Sequence, residues 1–258
     1  MERFDLALND IPELPAAAAC IGYFDGVHRG HQELIRHTIR LAQKQNSRSA
    51  AITFTPDPVS VYAPQSAHRH LSDDDQKAGW FARYGLDAAY FVHFDEAFCR
   101  QSVEEFKAFL GKLDLTGLVC GNDYRFAQNA AGNTDDLTGG GLPFPVEVVE
   151  PVLYRGRKIA SRWILEAVRQ GDISLAQYLL GHPLTIRAAI HDHKVVSRVN
   201  QLPLRGRAVL QADGRSLLAD FDRGGEVAER AEAAERQWVL APEDVGRLTT
   251  QPGGFVLR

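Results

Sequence analysis

Cysteine is scarce in this chain. Cys20, Cys99 and Cys120 are the three in 258 residues, and they show no paired spacing, which excludes a disulfide framework. Cys20 and Cys120 fall in apolar runs, so buried free thiols and a reducing, cytoplasmic setting are expected. No apolar run is long enough to cross a membrane. The first residues, Met1-Glu2-Arg3-Phe4-Asp5, lack the basic-then-apolar order of a signal peptide. Positive charge is not in excess either. With 29 Lys and Arg against 33 Asp and Glu the net charge is −4, which argues against binding along nucleic acid and leaves room only for a local basic pocket. There is no internal repeat and no low-complexity tract. Hydrophobic residues at 45% and charged ones at 24% are ordinary for a soluble globular chain, long enough for one large domain or one with a small companion.

What is present is concentrated in Ile21-Gly22-Tyr23-Phe24-Asp25-Gly26-Val27-His28-Arg29-Gly30-His31. An apolar run, 16–21, precedes it. Leu34, Ile35, Thr38, Ile39, Leu41 and Ala42 follow at helical spacing. The motif therefore sits on a strand–loop–helix corner, where open α/β sheets bind nucleotides. Gly22 and Gly26 permit a tight turn and close approach of a ligand, and Gly30 separates the histidines. His28 and His31, three apart, face one side of a first helical turn. They suit phosphate oxygens as hydrogen-bond donors, more strongly if protonated. There is no Gly-Lys-Ser/Thr ending and no G-x-G-x-x-G, so histidines and helix N–H groups hold the anion. A zinc site would need further ligands, and only Asp25 is near in sequence.

Strands are expected over 17–24, 49–55, 88–94, 116–121 and 146–149. Helices are expected over 31–45, 73–84 and 103–112. Ser102-Val103-Glu104-Glu105 reads as a capping box, and Gly85 as the end of the second helix. This alternation predicts a doubly wound parallel α/β sheet, Rossmann-like. Two shorter helices, 162–169 and 173–180, lead to Gly181 and Pro183, where a boundary is expected. A first domain over 1–184 and a small β-rich domain over 185–258 follow. In the latter, short strands are expected over 185–191, 201–211, 217–221, 237–240 and 254–257, a hairpin turn at Asp213-Gly214, and a charged, Ala-rich helix over 226–235.

The first motif resembles the G-x-F-D-G-V-H-x-G-H signature of prokaryotic FAD synthetases, the FMN adenylyltransferase half of bifunctional riboflavin kinase/FAD synthetases. Its His28-Arg29-Gly30-His31 matches the H-x-G-H core of the wider nucleotidyltransferase superfamily. Thr53-Phe54-Thr55-Pro56-Asp57-Pro58 resembles the family's T-F-x-P-H-P, and Gly121-Asn122-Asp123-Tyr124-Arg125-Phe126 its G-x-D-F-R-F. Lys158-Ile159-Ala160-Ser161-Arg162-Trp163-Ile164-Leu165 lies where the family has K-I-S-S-T-x-I-R. The resemblance implies transfer of AMP from ATP to FMN, giving FAD and pyrophosphate, with Mg²⁺. It implies that His28 and His31 contact the phosphates and the transition state. It places Gly22, Phe24, Asp25, Gly26, Gly30, Ser161 and Arg162 at the nucleotide. Phe54, Pro56, Pro58, Asp123 and Arg125 fall to the flavin, with Asp123 also a candidate for Mg²⁺.

The departures are specific. Ala160, Arg162 and Leu165 replace a Ser, the Thr and the terminal Arg, removing hydroxyl and cationic phosphate contacts. Asp57 replaces the His of P-H-P, which puts a negative charge near two anionic substrates unless it faces away or binds metal. Ala127 replaces a glycine. The tail lacks the G-x-G-R and P-T-A-N motifs of a riboflavin kinase module, so no kinase activity is expected. His191 with His193, and His68 with His70, are spaced as metal-ligand pairs, with exposed loop or edge-strand histidines as the competing reading. Two other functions fit: a non-catalytic flavin- or nucleotide-binding relative, and a nucleotidyltransferase with another acceptor.

Overall fold

A computed structural model describes residues 1–66, 69–191, 194–197, 200–213, 215–221, 226–227 and 232–242. The chain divides into two compact units, Met1–Ser161 and Arg162–Arg258.

The first unit is built on strands β1 (Glu2–Leu6), β2 (Ala17–Ile21), β3 (Arg48–Thr55), β4 (Ala88–His93), β5 (Leu115–Gly121) and β6 (Val146–Val149). They form one sheet in the order β1-β4-β3-β2-β5-β6, every neighbouring pair parallel. The expected doubly wound α/β architecture is present. Every residue of β2 is buried, as are six consecutive residues of β3. A parallel strand covered on both faces requires such runs. Alternate side chains feed two cores. Ala19, Ile21, Ile52, Tyr90 and Val92 join one, and Cys20, Ala51, Ala89 and Phe91 the other, following the two-residue period of a strand.

The helices are α1 (Arg29–Gln45), α2 (Pro58–Tyr62), α3 (Asp74–Arg83), α4 (Glu96–Cys99), α5 (Val103–Leu110) and α6 (Thr134–Thr138). The Ser102 capping box of α5 forms as expected, with Glu105 reaching back to the Ser102 N–H at 2.8 Å. Gly85, at φ +88°, follows α3 in a conformation that costs other residues dearly. Strand β1 was not expected. Its charged, mostly exposed residues hide the apolar alternation, and it is held by parallel pairing to β4. Because β3 lies on one side of β2 and β5 on the other, the ends of β2 and β5 flank the sheet's switch point. Open α/β sheets place ligands in that crevice.

A short ribbon, β7 (Leu153–Tyr154) and β8 (Arg157–Lys158), precedes α7 (Ser161–Arg169) and α8 (Ile173–Leu180). In the second unit, β9 (Leu184–His191), β10 (Lys194–Val196), β11 (Arg207–Ala212), β12 (Arg215–Asp220), β13 (Glu226–Val227) and β14 (Glu232–Pro242) close into an antiparallel barrel in the order β10-β13-β12-β11-β14-β9. Residues 226–227 and 232–235 are strand, not the expected helix. Glu226 pairs with Lys194 and Glu232 with Ile190, so barrel closure overrides the helical propensity of an Ala- and Glu-rich run. β11 and β12 pair antiparallel with Ala212 opposite Arg215; Gly214 of the expected hairpin turn lies outside the described residues. Trp238 is fully buried, and its Nε1 donates to the Ala188 carbonyl at 3.2 Å. The strand expected over 254–257 lies outside the described residues. Among the described residues no helix is long and apolar enough to cross a membrane.

Candidate active site

The loop after β2 turns through left-handed conformations at Phe24 (φ 58°), Gly26 (φ 75°) and Val27 (φ 39°) before α1 begins. Asp25 holds that turn. Its Oδ1 accepts the N–H groups of Leu71 and Ser72 at 2.9 and 3.0 Å, and the Ser72 hydroxyl accepts the Gly26 N–H at 2.8 Å. Asp25 is 4% exposed. Burial raises its carboxyl above the usual range, against the opposing pull of His70 and Lys77. Phe24, Asp25 and Gly26 are therefore a buried scaffold behind the site rather than the lining that sequence suggested.

His28 is the N-cap of α1, and its Nδ1 accepts the His31 N–H at 3.4 Å. The two imidazoles stack, with centroids 3.7 Å apart and planes 16° from parallel. Gly30 makes room for this: a Cβ there would stand 3.2 Å from the His28 ring. The edge of Phe24 packs on His31 at 5.0 Å. Burial first, then His28, Lys158 and Lys77, push the His31 imidazole well below its ordinary range. Its Nδ1 is shut off from solvent with no hydrogen-bond partner. The same burial disfavours the protonated form of His31.

Gly22, His28, Gly30 and His31 line a cavity of about 320 Å³ at the switch point. Asn122, Asp123, Tyr124 and Arg125, after β5, line it too, as do Glu150, Lys158, Ala160 and Ser161. Lys158 ion-pairs with Asp123. Asn122 donates to Glu150 at 2.9 Å, and the Ser161 hydroxyl donates to the Asp25 carbonyl at 2.9 Å. Arg162 is exposed at the start of α7, in the second unit, where Leu165 is buried.

A second cavity, about 620 Å³, has Phe54, Pro58, Tyr62, Phe94, Phe98 and Phe126 in its wall. Phe106 stacks on Phe126 at 4.6 Å, and Phe54 meets the edge of Phe94 at 5.7 Å. Pro56 is exposed and is not among the lining residues. Tyr23, Tyr124 and Arg125 line both cavities, so the two share a wall. Of these three, sequence singled out only Arg125. Phe94, Phe98 and Lys158 were also missed, although the aromatic density of Phe91 to Phe98 was a usable signal.

Asp57, the departure from P-H-P, has a structural task. Its Oδ1 caps α2 by accepting the Val59 N–H at 3.1 Å. Its Oδ2 lies 3.6 Å from Nε2 of His70, whose Nδ1 is 4.0 Å from Asp25. The carboxylate thus faces away from the phosphate cavity. His70 is largely buried between two aspartates rather than an exposed loop histidine. His68 and His193 lie outside the described residues. Among those described, no group of three or more His, Cys, Asp or Glu is arranged to hold a metal.

The FAD synthetase family model matches residues 10–163, more than half of the chain. This chain belongs to the FAD synthetase family. It is 30% identical over 185 residues to the bifunctional riboflavin kinase/FMN adenylyltransferase of Buchnera aphidicola subsp. Schizaphis graminum, covering 69% of this chain and 59% of that protein. It is 30% identical over 189 residues to the protein of the same name from Bacillus subtilis, covering 70% and 59%. The chain thus spans less than two thirds of the length of these relatives. Among solved structures, a Streptococcus pneumoniae chain titled macrolide-efflux protein superposes with a TM-score of 0.77 at 23% identity, covering 93% of this chain and 89% of that one. At that identity the likeness speaks for the fold alone.

Proposed function

We propose that this member of the family transfers AMP from ATP to FMN, releasing pyrophosphate and forming FAD. The observation that carries the reading is the shared wall. A histidine-lined phosphate cavity and an aromatic cavity suited to a flat tricyclic ring meet at Tyr23, Tyr124 and Arg125, so an acceptor phosphate can reach a nucleotide phosphate.

An FMN phosphate oxygen attacks the α-phosphorus of ATP in line. The new P–O bond forms as the bond to the bridging oxygen of the β-phosphate breaks, and the electron pair leaves with pyrophosphate. The attacking oxygen is already ionised, so the chain supplies no base. Its task is positioning and stabilising charge. His31 and His28, the N-cap of α1, donate to phosphate oxygens, and Lys158 adds positive charge on the same wall. Among the described residues Arg125 has no ion-pair partner, which makes it the candidate for the FMN phosphate. Asp123 and Glu150 put two carboxylates on the nucleotide cavity, hard oxygen donors of the kind that suit Mg²⁺ arriving on a triphosphate. When bound, Mg²⁺ neutralises phosphate charge. Transfer is assigned to residues 1–184, with residues 185–258 a reduced barrel without kinase activity.

Purified protein incubated with ATP, Mg²⁺ and either FMN or riboflavin, followed by chromatography, tests this. FAD from FMN and no FMN from riboflavin is the expected result. Tight binding of FMN and ATP with no FAD would overturn transfer in favour of a binding protein.

A further inference from the structure

Lys77 is an anomaly. It projects from α3, is 1% exposed, and is not among the residues lining either cavity. A buried ammonium is costly unless it is paired. Lys77 is paired twice. Its Nζ lies 3.2 Å from Asp74 and 3.8 Å from the centroid of the Tyr23 ring, over its face. A capping box between Asp73 and Gln76 fixes the start of α3, so the cation is presented from a rigid position. Tyr23 is held at other points too. His70 meets its ring edge-on at 5.7 Å, and its carbonyl accepts the Thr53 hydroxyl at 3.0 Å. That ring is part of the wall common to both cavities.

An apolar side chain of similar volume would fill the space occupied by Lys77 without burying a charge. A cation balances the buried carboxylate of Asp25 and, with Asp74 and Asp57, the local negative charge, and it adds attraction to the negative face of the Tyr23 ring, strongest where water is excluded. We infer that Lys77 is a positioning residue: by clamping the face of Tyr23 it fixes the partition between the nucleotide and acceptor cavities, and so the separation of the two reacting phosphates. This rests on the proposed adenylyl transfer. Without the cation the face of the ring loses its contact, and among the described residues only the edge-on His70 ring still holds it. Binding is then impaired less than alignment, because a small misplacement of reacting groups costs far more rate than affinity.

The test is a double-mutant cycle. Lys77→Met and Tyr23→Leu are made singly and together, with Lys77→Arg as the conservative variant. FMN affinity is read by quenching of flavin fluorescence, and kcat and KM by FAD formation. Lys77→Met should lower kcat about tenfold or more with KM for ATP nearly unchanged, as loss of a desolvated cation–π contact implies. Lys77→Arg should restore most of the rate. In the Tyr23→Leu background, Lys77→Met should add little, since the two residues act as one unit. Additive losses, or no rescue by Arg, would overturn the inference and leave Lys77 a packing residue. If Lys77→Met does not fold, Lys77→Arg and Tyr23→Leu decide it: Tyr23→Leu must reproduce the fall in kcat.

One further readout does not depend on turnover. In protein labelled with ¹³C-tyrosine, the Tyr23 ring resonance, assigned with Tyr23→Phe, should shift and lose its fixed environment in Lys77→Met, or in Lys77→Arg to a lesser degree. An inactive wild-type protein would sink the proposed transfer. An unmoved Tyr23 resonance would sink the clamp.

Discussion

Tyr23 and Arg125, about a hundred positions apart in sequence, stand together where the histidine-lined cavity opens into the aromatic one. The first lies just past the end of β2 and the second just past the end of β5. Because those strands are neighbours at the switch point, the two cavities share residues, and under the proposed transfer each substrate would touch residues that the other also touches. Mutual influence between ATP and FMN binding follows, and by linkage it must be equal in both directions.

His28→Ala and His31→Ala should each lower kcat by roughly two to three orders of magnitude, the usual loss when a preorganised donor to developing charge is removed. Circular dichroism should show both variants folded. His28→Ala should also lose stability, by about 1 kcal/mol, because it removes the N-cap of α1. A double variant that still forms FAD would contradict the assignment.

The depressed His31 imidazole makes stability depend on pH. Between its folded-state value and the ordinary 6.5, the unfolded chain holds a proton there that the folded chain does not. Stability therefore rises with pH across that window and is lost as pH falls below about 6.5, with a slope approaching roughly 1.4 kcal/mol per pH unit. His31→Gln should flatten this acid limb in urea denaturation curves taken from pH 7 to pH 5. An unchanged slope would mean that another group is responsible.

Ala127 carries φ 64° and ψ 177°, a region open to glycine and strained for any residue with a Cβ, at roughly 1–3 kcal/mol. Ala127→Gly should raise Tm by about 2–4 °C despite the greater chain entropy of glycine. Differential scanning calorimetry reads this directly, and a fall in Tm would contradict it.

Gly132 is the opposite case. A Cβ there would come within 2.5 Å of the Phe126 ring, which is buried and stacked on Phe106. Gly132→Ala should destabilise by about 1–3 kcal/mol and weaken FMN binding more than ATP binding. Equal loss of both affinities in calorimetry would separate Phe126 from the flavin site.

Sequence disclosed the sheet because parallel strands are buried on both faces. Runs such as Ala50 to Phe54 and Ala88 to Val92 leave little ambiguity. It disclosed the His28 corner because glycines and histidines at fixed spacing carry their own geometry. It hid β1, whose partner β4 is some eighty residues away, and it misjudged 226–235, where barrel closure outweighs local preference. It misjudged Asp25 and His70, and left open which way Asp57 faces. Proximity in a motif cannot distinguish a side chain facing the ligand from one turned inward. Here Asp25 looks back to Leu71 and Ser72, and Asp57 to Val59 and His70.

The hydrogen bond from the His31 backbone to Nδ1 of His28 has a chemical consequence for the imidazole it meets. A nitrogen that accepts cannot also carry the proton, so this contact favours the tautomer with hydrogen on Nε2. The spacing of three between the histidines, which brings that amide under the ring, thus selects which edge of His28 donates. Any change that unwinds the first turn of α1 would remove the contact that sets this preference.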